Sequence, residues 1–191
     1  MIKGLKLGYC LTGSHCTFSR SLSALRRLVD AGYDVQPIMS ENAYNTSTRF
    51  FDADALRREV EELCGRAVIH TVRDAEPLGP RMALDLLVVA PCTGNTLAKM
   101  ANGITDTAAT MAIKAHLRSD RPLLIALASN DAMSANLSSL GSALMRRSVY
   151  LVPMRQDDPT GKPHSLVAEL ELIPECVELA LAGRQMRPIF L

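Results

Sequence analysis

Two apolar runs in the middle of the chain constrain its fold more than any other feature. Residues 86–90 (LLVVA) and 123–128 (LLIALA) contain no polar side chain and do not alternate between polar and apolar positions. Strands of this kind are buried on both faces, as in a parallel sheet that helices cover on each side. We therefore predict interior strands over Leu84–Ala90 and Pro122–Ala128.

Strand-like and helix-like segments alternate along the rest of the chain. Further strands are predicted over Leu5–Leu11, Tyr33–Met39, Ala67–Val72 and Val149–Val152. Helices are predicted over Phe18–Ala31, Ala53–Cys64, from about Asn95 to a break near Gly103, and over Thr107–Leu117, Leu137–Arg146 and Pro174–Leu181. Loops are expected over Arg73–Arg81 and Arg155–Ser165. The alternation predicts a single-domain α/β fold over residues 1–191, a doubly wound parallel sheet in a Rossmann-like or flavodoxin-like three-layer sandwich.

Composition excludes several classes of function. The formal net charge is +1, tryptophan is absent and aromatic residues make up 4% of the chain, so neither nucleic acid nor an acidic membrane is an expected partner. The five cysteines are scattered without a C-x-x-C pair, which predicts neither a metal site nor a disulfide framework. With no signal-like segment and no long apolar run, we expect a cytoplasmic protein.

Small polar segments follow four of the predicted strands. They are Thr12–Thr17, Ser40–Ala43, Pro91–Thr96 and Ser129–Asp131. The carboxyl ends of parallel strands share one sheet edge, and ligands of open α/β sheets bind there. Hydroxyl groups and backbone N–H groups at helix N-termini suit a phosphate and the polar edge of a heterocycle.

Each of these segments also has a purely structural interpretation. Thr12–Thr17 alone is best explained as a helix N-cap, in which Ser14 or Thr17 satisfies free N–H groups, and it lacks the G-x-G-x-x-G pattern of dinucleotide sites. Pro91–Thr96 carries more donors than capping requires, which favours ligand contact.

Residues 90–103 (APCTGNTLAKMANG) resemble the P-A-S-A-N-T-x-A-K-x-A-N-G signature of the flavoprotein superfamily of homo-oligomeric flavin-containing cysteine decarboxylases. The agreement runs through Asn95, Thr96, Ala98, Lys99, Ala101, Asn102 and Gly103. Within that superfamily, the chain most resembles the family of dipicolinate synthase B subunits. The segments that carry this second resemblance are 12–17, 74–80, 90–95, 105–106, 129–131, 156–159, 162–163, 165–168 and 183–185.

The resemblance implies FMN as cofactor and a set of residues that contact it. Carried over position by position, these are Gly13, Ser14, His15, Thr17, Ser40, Cys92, Thr93, Gly94, Asn95 and Thr96, with Ser129 and Asn130 near the isoalloxazine ring. It also implies a homo-oligomer, either a trimer or a dodecamer.

The narrower resemblance implies a reaction and a partner. The reaction is oxidation of a dihydrodipicolinate-type precursor to pyridine-2,6-dicarboxylate in the mother cell of a sporulating bacterium. The partner is a dehydrogenase-like A subunit that uses NAD(P). Two alternatives remain open: an FMN-dependent decarboxylase of the phosphopantothenoylcysteine type, and a non-catalytic scaffold with the flavin fold.

Two departures from the decarboxylase pattern bear on the reaction. The decarboxylases carry a P-x-M-N-x-x-M clamp, whereas Ala128–Asn136 has a different sequence, and their catalytic histidine has no counterpart nearer than His70. The sequence does not fix the catalytic residues, and the candidates are His15, His70 and Asn130. His15 is equally compatible with a structural position beside the helix cap and with ligand contact, and His70 with an ordinary strand position and with catalysis.

A dicarboxylate substrate requires cationic partners, since arginine and carboxylate groups pair strongly. The candidates are Arg49, Arg73, Arg81, Lys99 and Lys114, each of which is also explained as a solvated surface charge. Arg81 and Lys99 are favoured because they flank the loop after the fourth predicted strand. The polar segment 156–165 is interpreted either as a flap over the site or as a surface loop.

Overall fold

The computed structural model of the chain describes residues 4–79 and 81–191 and contains one seven-stranded sheet with helices on both faces. The strands are β1 (Lys6–Leu11), β2 (Asp34–Met39), β3 (Leu86–Thr93), β4 (Leu123–Ser129), β5 (Val149–Leu151), β6 (Met154–Arg155) and β7 (Leu166–Ala168). The α-helices are α1 (Phe18–Asp30), α2 (Glu41–Asn45), α3 (Ala53–Cys64), α4 (Val72–Ala75), α5 (Gly94–Ala101), α6 (Ala108–Leu117), α7 (Leu137–Leu144) and α8 (Ile173–Leu181). The predicted α/β sandwich is thus confirmed.

The sheet is mostly parallel and its strand order reverses near its centre. The order is β2-β1-β3-β4-β7-β6, and β5 pairs with the first half of β4. Strands β1 to β5 pair in parallel, whereas β7 is antiparallel to both β4 and β6. The chain steps from β1 out to β2 and then returns to β3 on the other side of β1. A crevice forms beyond the carboxyl ends of strands at such a reversal.

The apolar runs form the sheet interior because alternate residues face different helical layers. In β3, Leu86 and Val88 belong to a core cluster with α1, α3 and α8, whereas Leu87 and Val89 belong to a second cluster with α5, α6 and α7. All four side chains are fully buried. A strand covered on both faces needs apolar residues at every position, which explains the missing alternation.

The predicted third strand, Ala67–Val72, is wrong. Only Ile69 makes a bridge to the sheet, through Ile38 of β2, and Thr71 already caps α4. The predicted 73–81 loop contains most of α4 and a 3-10 turn over Glu76–Leu78. Pro80 of that loop lies outside the described residues. Residues 1–3, which belong to the N-terminal segment where no signal is predicted, also lie outside them.

One strand is longer than predicted, and this extension positions the site. β3 continues past Ala90 to Thr93, with a shift in its register with β4 between Val89 and Cys92. The hydroxyl of Thr12 donates to the Pro91 carbonyl at 2.8 Å and accepts from the Thr93 N–H at 2.9 Å. The loops after β1 and β3 are therefore joined directly. None of the helices in the described residues is long and apolar enough to span a membrane.

Candidate functional site

A large opening lies beyond the carboxyl ends of β1, β3 and β4, and we call it the main cavity. Its volume is about 1140 Å³. The inner wall consists of the last residues of β3 and β4 together with the loops that follow β1, β3 and β4: residues 13–17, 93–95 and 128–131. The outer wall comes from more distant parts of the chain: residues 48–50, 157, 161–165 and 167. The structure thus brings the loops after β1, β3 and β4 together, as the sequence predicts.

The loop after β1 does not form the helix cap that the sequence favours. Neither Ser14 nor Thr17 makes a side-chain cap hydrogen bond, and the Thr17 hydroxyl donates to the Ser14 carbonyl at 2.8 Å. Thr17 is buried, whereas Ser14 is half-buried and faces the main cavity. The Ser14 hydroxyl is consequently available to a ligand, so the capping interpretation is wrong for this loop.

The loop after β3 leads straight into helix α5. Thr93 is the N-cap residue, and its hydroxyl accepts from the Thr96 N–H at 3.3 Å and lies 3.0 Å from the Thr96 hydroxyl. Gly94 and Asn95 occupy the first turn and line the main cavity. The positive end of α5 and its first amides therefore face this cavity.

A hydrogen-bond network around a carboxylate lies at the end of β4 and supports the first turn of α5. The Ser129 hydroxyl donates to the Asp131 carboxylate, and the Asn136 amide donates to the other oxygen of Asp131 at 2.9 Å. These hydrogen bonds, that from Ser129 above all, lower the pKa of Asp131, which stays ionised. A Cβ added to Gly94 would lie 2.7 Å from Asn136 Nδ2 and 2.8 Å from Asp131 Oδ1, so only glycine fits here without displacing the network. Asp131 lies in the predicted segment Ser129–Asp131 but is not among the predicted site residues.

A side cavity of about 260 Å³ adjoins the main one and shares Gly13, Thr93 and Asn95 with it. It contains the predicted residues Ser40, Thr96 and Lys99. The Ser40 hydroxyl accepts from the Ala43 N–H at 3.4 Å and so caps α2. The Lys99 ammonium lies 2.9 Å from both oxygens of Asp106, and this pairing lowers the pKa of Asp106. Lys99 is therefore near the site, but it already has a carboxylate partner.

Three predicted site residues lie away from both cavities. Cys92 points into the core and is fully buried, and burial raises the pKa of its thiol to about 12. His70 stacks on Tyr44 with ring centroids 3.8 Å apart, at the outer edge of the sheet beside β2. Arg81 precedes β3 and is exposed. Residues that precede a parallel strand lie at the amino edge of the sheet, opposite the site, so Arg81 does not flank the loop after β3.

The other two catalytic candidates, His15 and Asn130, do line the main cavity. The His15 ring packs edge-on against Phe18 at 5.0 Å, and its buried Nδ1 atom has no hydrogen-bond partner among the described residues. Burial lowers the pKa of His15, so the imidazole is neutral at pH 7.

The outer wall supplies cationic side chains. Arg49 lies over the Phe50 ring at 4.8 Å, and Phe50 is 48% exposed at the cavity rim. Lys162 donates to Asp157 at 2.9 Å, and this pairing raises the pKa of Lys162. Arg49 was one of five candidate cations in the sequence, but its distance from the strand-end loops gave no reason to prefer it. Lys162 lies in the segment already interpreted as a flap or a surface loop.

Comparisons with known proteins agree with this architecture. The model of the flavoprotein family matches residues 1–155. The B subunit of dipicolinate synthase from Bacillus subtilis (strain 168) is 39% identical over 188 residues, which cover 98% of this chain and 94% of that protein. The crystal structure of the dipicolinate synthase B subunit from Bacillus halodurans C is 35% identical, with a TM-score of 0.91, over 100% of this chain and 97% of that one.

A more distant structure shows the fold alone. The FMN-dependent cysteine decarboxylase SpaF is 22% identical, with a TM-score of 0.68, over 95% of this chain and 98% of that chain. The family match and the 39% identical relative each cover most of the chain, and they confirm the resemblance found in the sequence. The chain therefore belongs to the flavoprotein family and is similar over nearly its whole length to dipicolinate synthase B subunits.

Proposed function

We propose that this chain binds FMN in the main cavity and acts as the B-type subunit of a dipicolinate synthase. Its substrate is a dihydrodipicolinate-type dicarboxylate, its product is pyridine-2,6-dicarboxylate, and its partner is a dehydrogenase-like A subunit that uses NAD(P). The observation that carries the proposal is the inner wall, where the Ser14 hydroxyl and the first turn of α5 face a cavity of about 1140 Å³. The similarity to B subunits of dipicolinate synthases supports the choice of reaction.

The donors of the inner wall fit a flavin mononucleotide. A phosphate needs hydroxyl and amide donors, and Ser14, Gly94 and Asn95 would provide them beside the positive end of α5. Ser129 and Asn130 would contact the polar edge of the ring. The cavity is at least as large as an ordinary cofactor pocket, which measures about 300–1,000 Å³. Bound FMN supplies two-electron redox chemistry, and the protein positions the substrate.

The outer wall suits the carboxylates of the substrate. Arg49 and Lys162 lie on two separate segments of that wall. Arg49 forms no ion pair within the described residues, whereas Lys162 would exchange Asp157 for a carboxylate group of the substrate. Two cations that pair with the two carboxylate groups fix the substrate ring in one orientation. Holding the ring in this way is the main contribution that a protein makes to hydride transfer from it.

Aromatisation of a dihydropyridine removes a hydride and a proton, so the site also needs a proton acceptor. The low pKa of Asp131 makes this carboxylate a poor base. His15 is neutral at pH 7, and its Nδ1 has no partner among the described residues. We therefore assign proton acceptance to His15, while Asp131 holds the end of β4 against Gly94.

The same geometry bears on the alternative reactions. In Ala128–Asn136, where the decarboxylases place their clamp, this chain builds the Ser129–Asp131–Asn136 network. That network is an argument for a reaction other than cysteine decarboxylation.

The exposed Phe50 at the cavity rim supports a homo-oligomer in which a second copy covers the opening. The molar mass in solution tests this part of the proposal.

A flavin titration tests the cofactor directly. The purified chain is titrated with FMN, and quenching of flavin fluorescence gives the dissociation constant. Ser14→Ala removes a cavity hydroxyl and is expected to weaken binding about tenfold, since a charge-assisted hydrogen bond contributes about 1.5–3 kcal/mol. Ser19→Ala removes an exposed hydroxyl from α1 and serves as the matched control. Absence of saturable FMN binding would overturn the cofactor assignment. The chain would then be either a scaffold or a subunit that positions the dicarboxylate while the A subunit transfers the hydride.

The reaction is tested separately, with the A subunit present. Formation of pyridine-2,6-dicarboxylate from dihydrodipicolinate is followed by its ultraviolet absorbance, with and without this chain. We expect the chain to raise turnover at a fixed concentration of the A subunit. If turnover is unchanged at every ratio of the two proteins, the assignment as a synthase subunit is wrong even where FMN binds.

A further inference from the structure

A third cavity, of about 290 Å³, lies at the opposite end of α5 from the candidate flavin site, and we call it the basic cavity. Its floor is apolar and is formed by Met100, Ile113 and Leu117. Lys114, Arg118 and Arg146 also line it, and no aspartate or glutamate is among its lining residues. Nothing in the proposed function uses this cavity.

The three cations come from two separate parts of the chain. Lys114 and Arg118 are four residues apart on one side of α6, where like charges repel each other. Arg146 follows α7 and donates weakly to the Met100 and Ala101 carbonyls, at 3.4 and 3.5 Å, at the end of α5. None of the three takes part in an ion pair within residues 4–79 and 81–191, whereas Lys99, Arg121, Arg155 and Lys162 all do.

Local structure accounts for only part of this arrangement. The negative end of the α6 dipole favours cations in and just after its last turn, and this explains Lys114 and Arg118. The carbonyls at the end of α5 hold Arg146, and Met100 and Ile113 belong to the core. These contacts leave all three cations around one apolar opening, without a carboxylate partner among the described residues. An apolar surface with polar groups at a few fixed points is the usual construction of a site for a small organic molecule.

We propose that the basic cavity binds a small aromatic carboxylate. The ring would cover Met100, Ile113 and Leu117, and the carboxylate groups would pair with Lys114 and Arg118. A volume of about 290 Å³ admits one ring with its substituents but not a nucleotide. An inorganic anion matches the charges but leaves the apolar floor in water, so it is not the expected ligand. This inference does not depend on the chemistry of the main cavity.

Methyl NMR locates the ligand without any assay of activity. Isoleucine methyl groups are labelled in the full chain, because Ile104 and Ile113 line the basic cavity whereas Ile38 and Ile125 lie elsewhere in the core. The probes are benzene-1,3-dicarboxylate and pyridine-2,6-dicarboxylate, with inorganic phosphate as the anion control. We expect saturable shifts at Ile104 and Ile113 with both dicarboxylates and none with phosphate.

Matched variants complete the test. Lys114 and Arg118 are exposed, so the double variant Lys114→Gln/Arg118→Gln is expected to keep the fold and to weaken binding at least about tenfold. Arg147→Gln removes a neighbouring exposed cation that does not line the cavity and is expected to change nothing. Arg49→Gln, in the main cavity, should also leave these shifts unchanged. The proposal is overturned if the two methyl groups do not shift, if phosphate shifts them equally, or if the double variant binds as well as the original chain.

Discussion

The two walls of the main cavity are built in different ways. The inner wall consists of short segments that begin where β1, β3 and β4 end, and hydrogen bonds between neighbouring strands hold them in place. The outer wall consists of two distant segments with exposed charged side chains, including Arg49 and Lys162. The difference suggests a division of labour, in which the inner wall holds a cofactor rigidly and the outer wall selects the substrate by charge.

The largest expected effect is at the centre of the inner wall. Gly94→Ala places a Cβ against the Ser129 hydroxyl and the Asp131 carboxylate, so the network must open. We expect unfolding stability to fall by about 1–3 kcal/mol, as for other overpacked sites, and FMN binding to weaken at least about tenfold. Thermal unfolding and flavin titration measure the two effects.

A second glycine provides the control for this prediction. A Cβ added to Gly141 in α7 would meet no atom within 4 Å, so Gly141→Ala is expected to stabilise the protein by about 0.5–1 kcal/mol. If both glycine variants lower stability equally, the inner wall is no more tightly packed than an ordinary helix surface, and the contrast between the walls fails.

Variants of the outer wall should change affinity without changing stability. Arg49→Gln and Lys162→Gln each remove one cation, and we expect each to weaken binding of pyridine-2,6-dicarboxylate to the FMN-loaded protein about tenfold, or about 1.4 kcal/mol. The melting temperature should stay constant because Lys162 is exposed and its ion pair contributes little. The proposed division between the walls is wrong if either variant lowers the melting temperature strongly. It is also wrong if either variant weakens FMN binding as much as it weakens dicarboxylate binding.

Between pH 6.5 and 5, we expect the largest part of the pH dependence of stability to come from outside both walls. His116 is fully buried beneath β4, where Nε2 lies 2.9 Å from the Pro122 carbonyl and Nδ1 has no partner among the described residues. Burial lowers the pKa of His116 below its ordinary 6.5, so below pH 6.5 the unfolded chain takes up a proton that the folded chain refuses. Stability conferred by the neutral ring is therefore complete above pH 6.5 and declines below it, by at most about 1.4 kcal/mol per pH unit.

Denaturant unfolding at a series of pH values measures this slope. His116→Gln should flatten it between pH 6.5 and 5, while His164→Gln, at an exposed position, should not. Since the pKa of His15 is also lowered, His15→Gln is measured in parallel. If the slope disappears in the His15 variant instead, the main cavity and not the amino edge of β4 controls acid stability.

The smallest expected effect is at His70. Its ring stacks on Tyr44 outside both site cavities, so His70→Phe keeps the stacking and should leave FMN affinity unchanged within about twofold. A clear loss of affinity in the titration would extend the site to the outer edge of the sheet.

Most of the fold and the inner wall follow from local sequence patterns. The apolar runs identify β3 and β4, and small polar residues directly after a parallel strand must lie at the carboxyl edge. Ala67–Val72 was wrongly predicted as a strand because its composition resembles one, although only Ile69 reaches the sheet. Strands β6 and β7 have two and three residues, too few for a periodic signal.

The outer wall could not be found in this way. Nothing near Arg49 in the sequence indicates that its loop meets Lys162 across a cavity, because that meeting depends on how the whole chain folds. The position of Asp131 could be predicted from the sequence, but its role could not. It lies in a predicted segment, but its role depends on Asn136 and on the absence of a side chain at Gly94.

The hydroxyl of Thr12 has a consequence for protein engineering. By donating to the Pro91 carbonyl and accepting from the Thr93 N–H, it couples the end of β1 to the end of β3. Transplanting either loop alone from a relative would leave one half of this coupling without its partner. The two loops are therefore a single module for recombination, although 79 positions separate Thr12 from Pro91 in the chain.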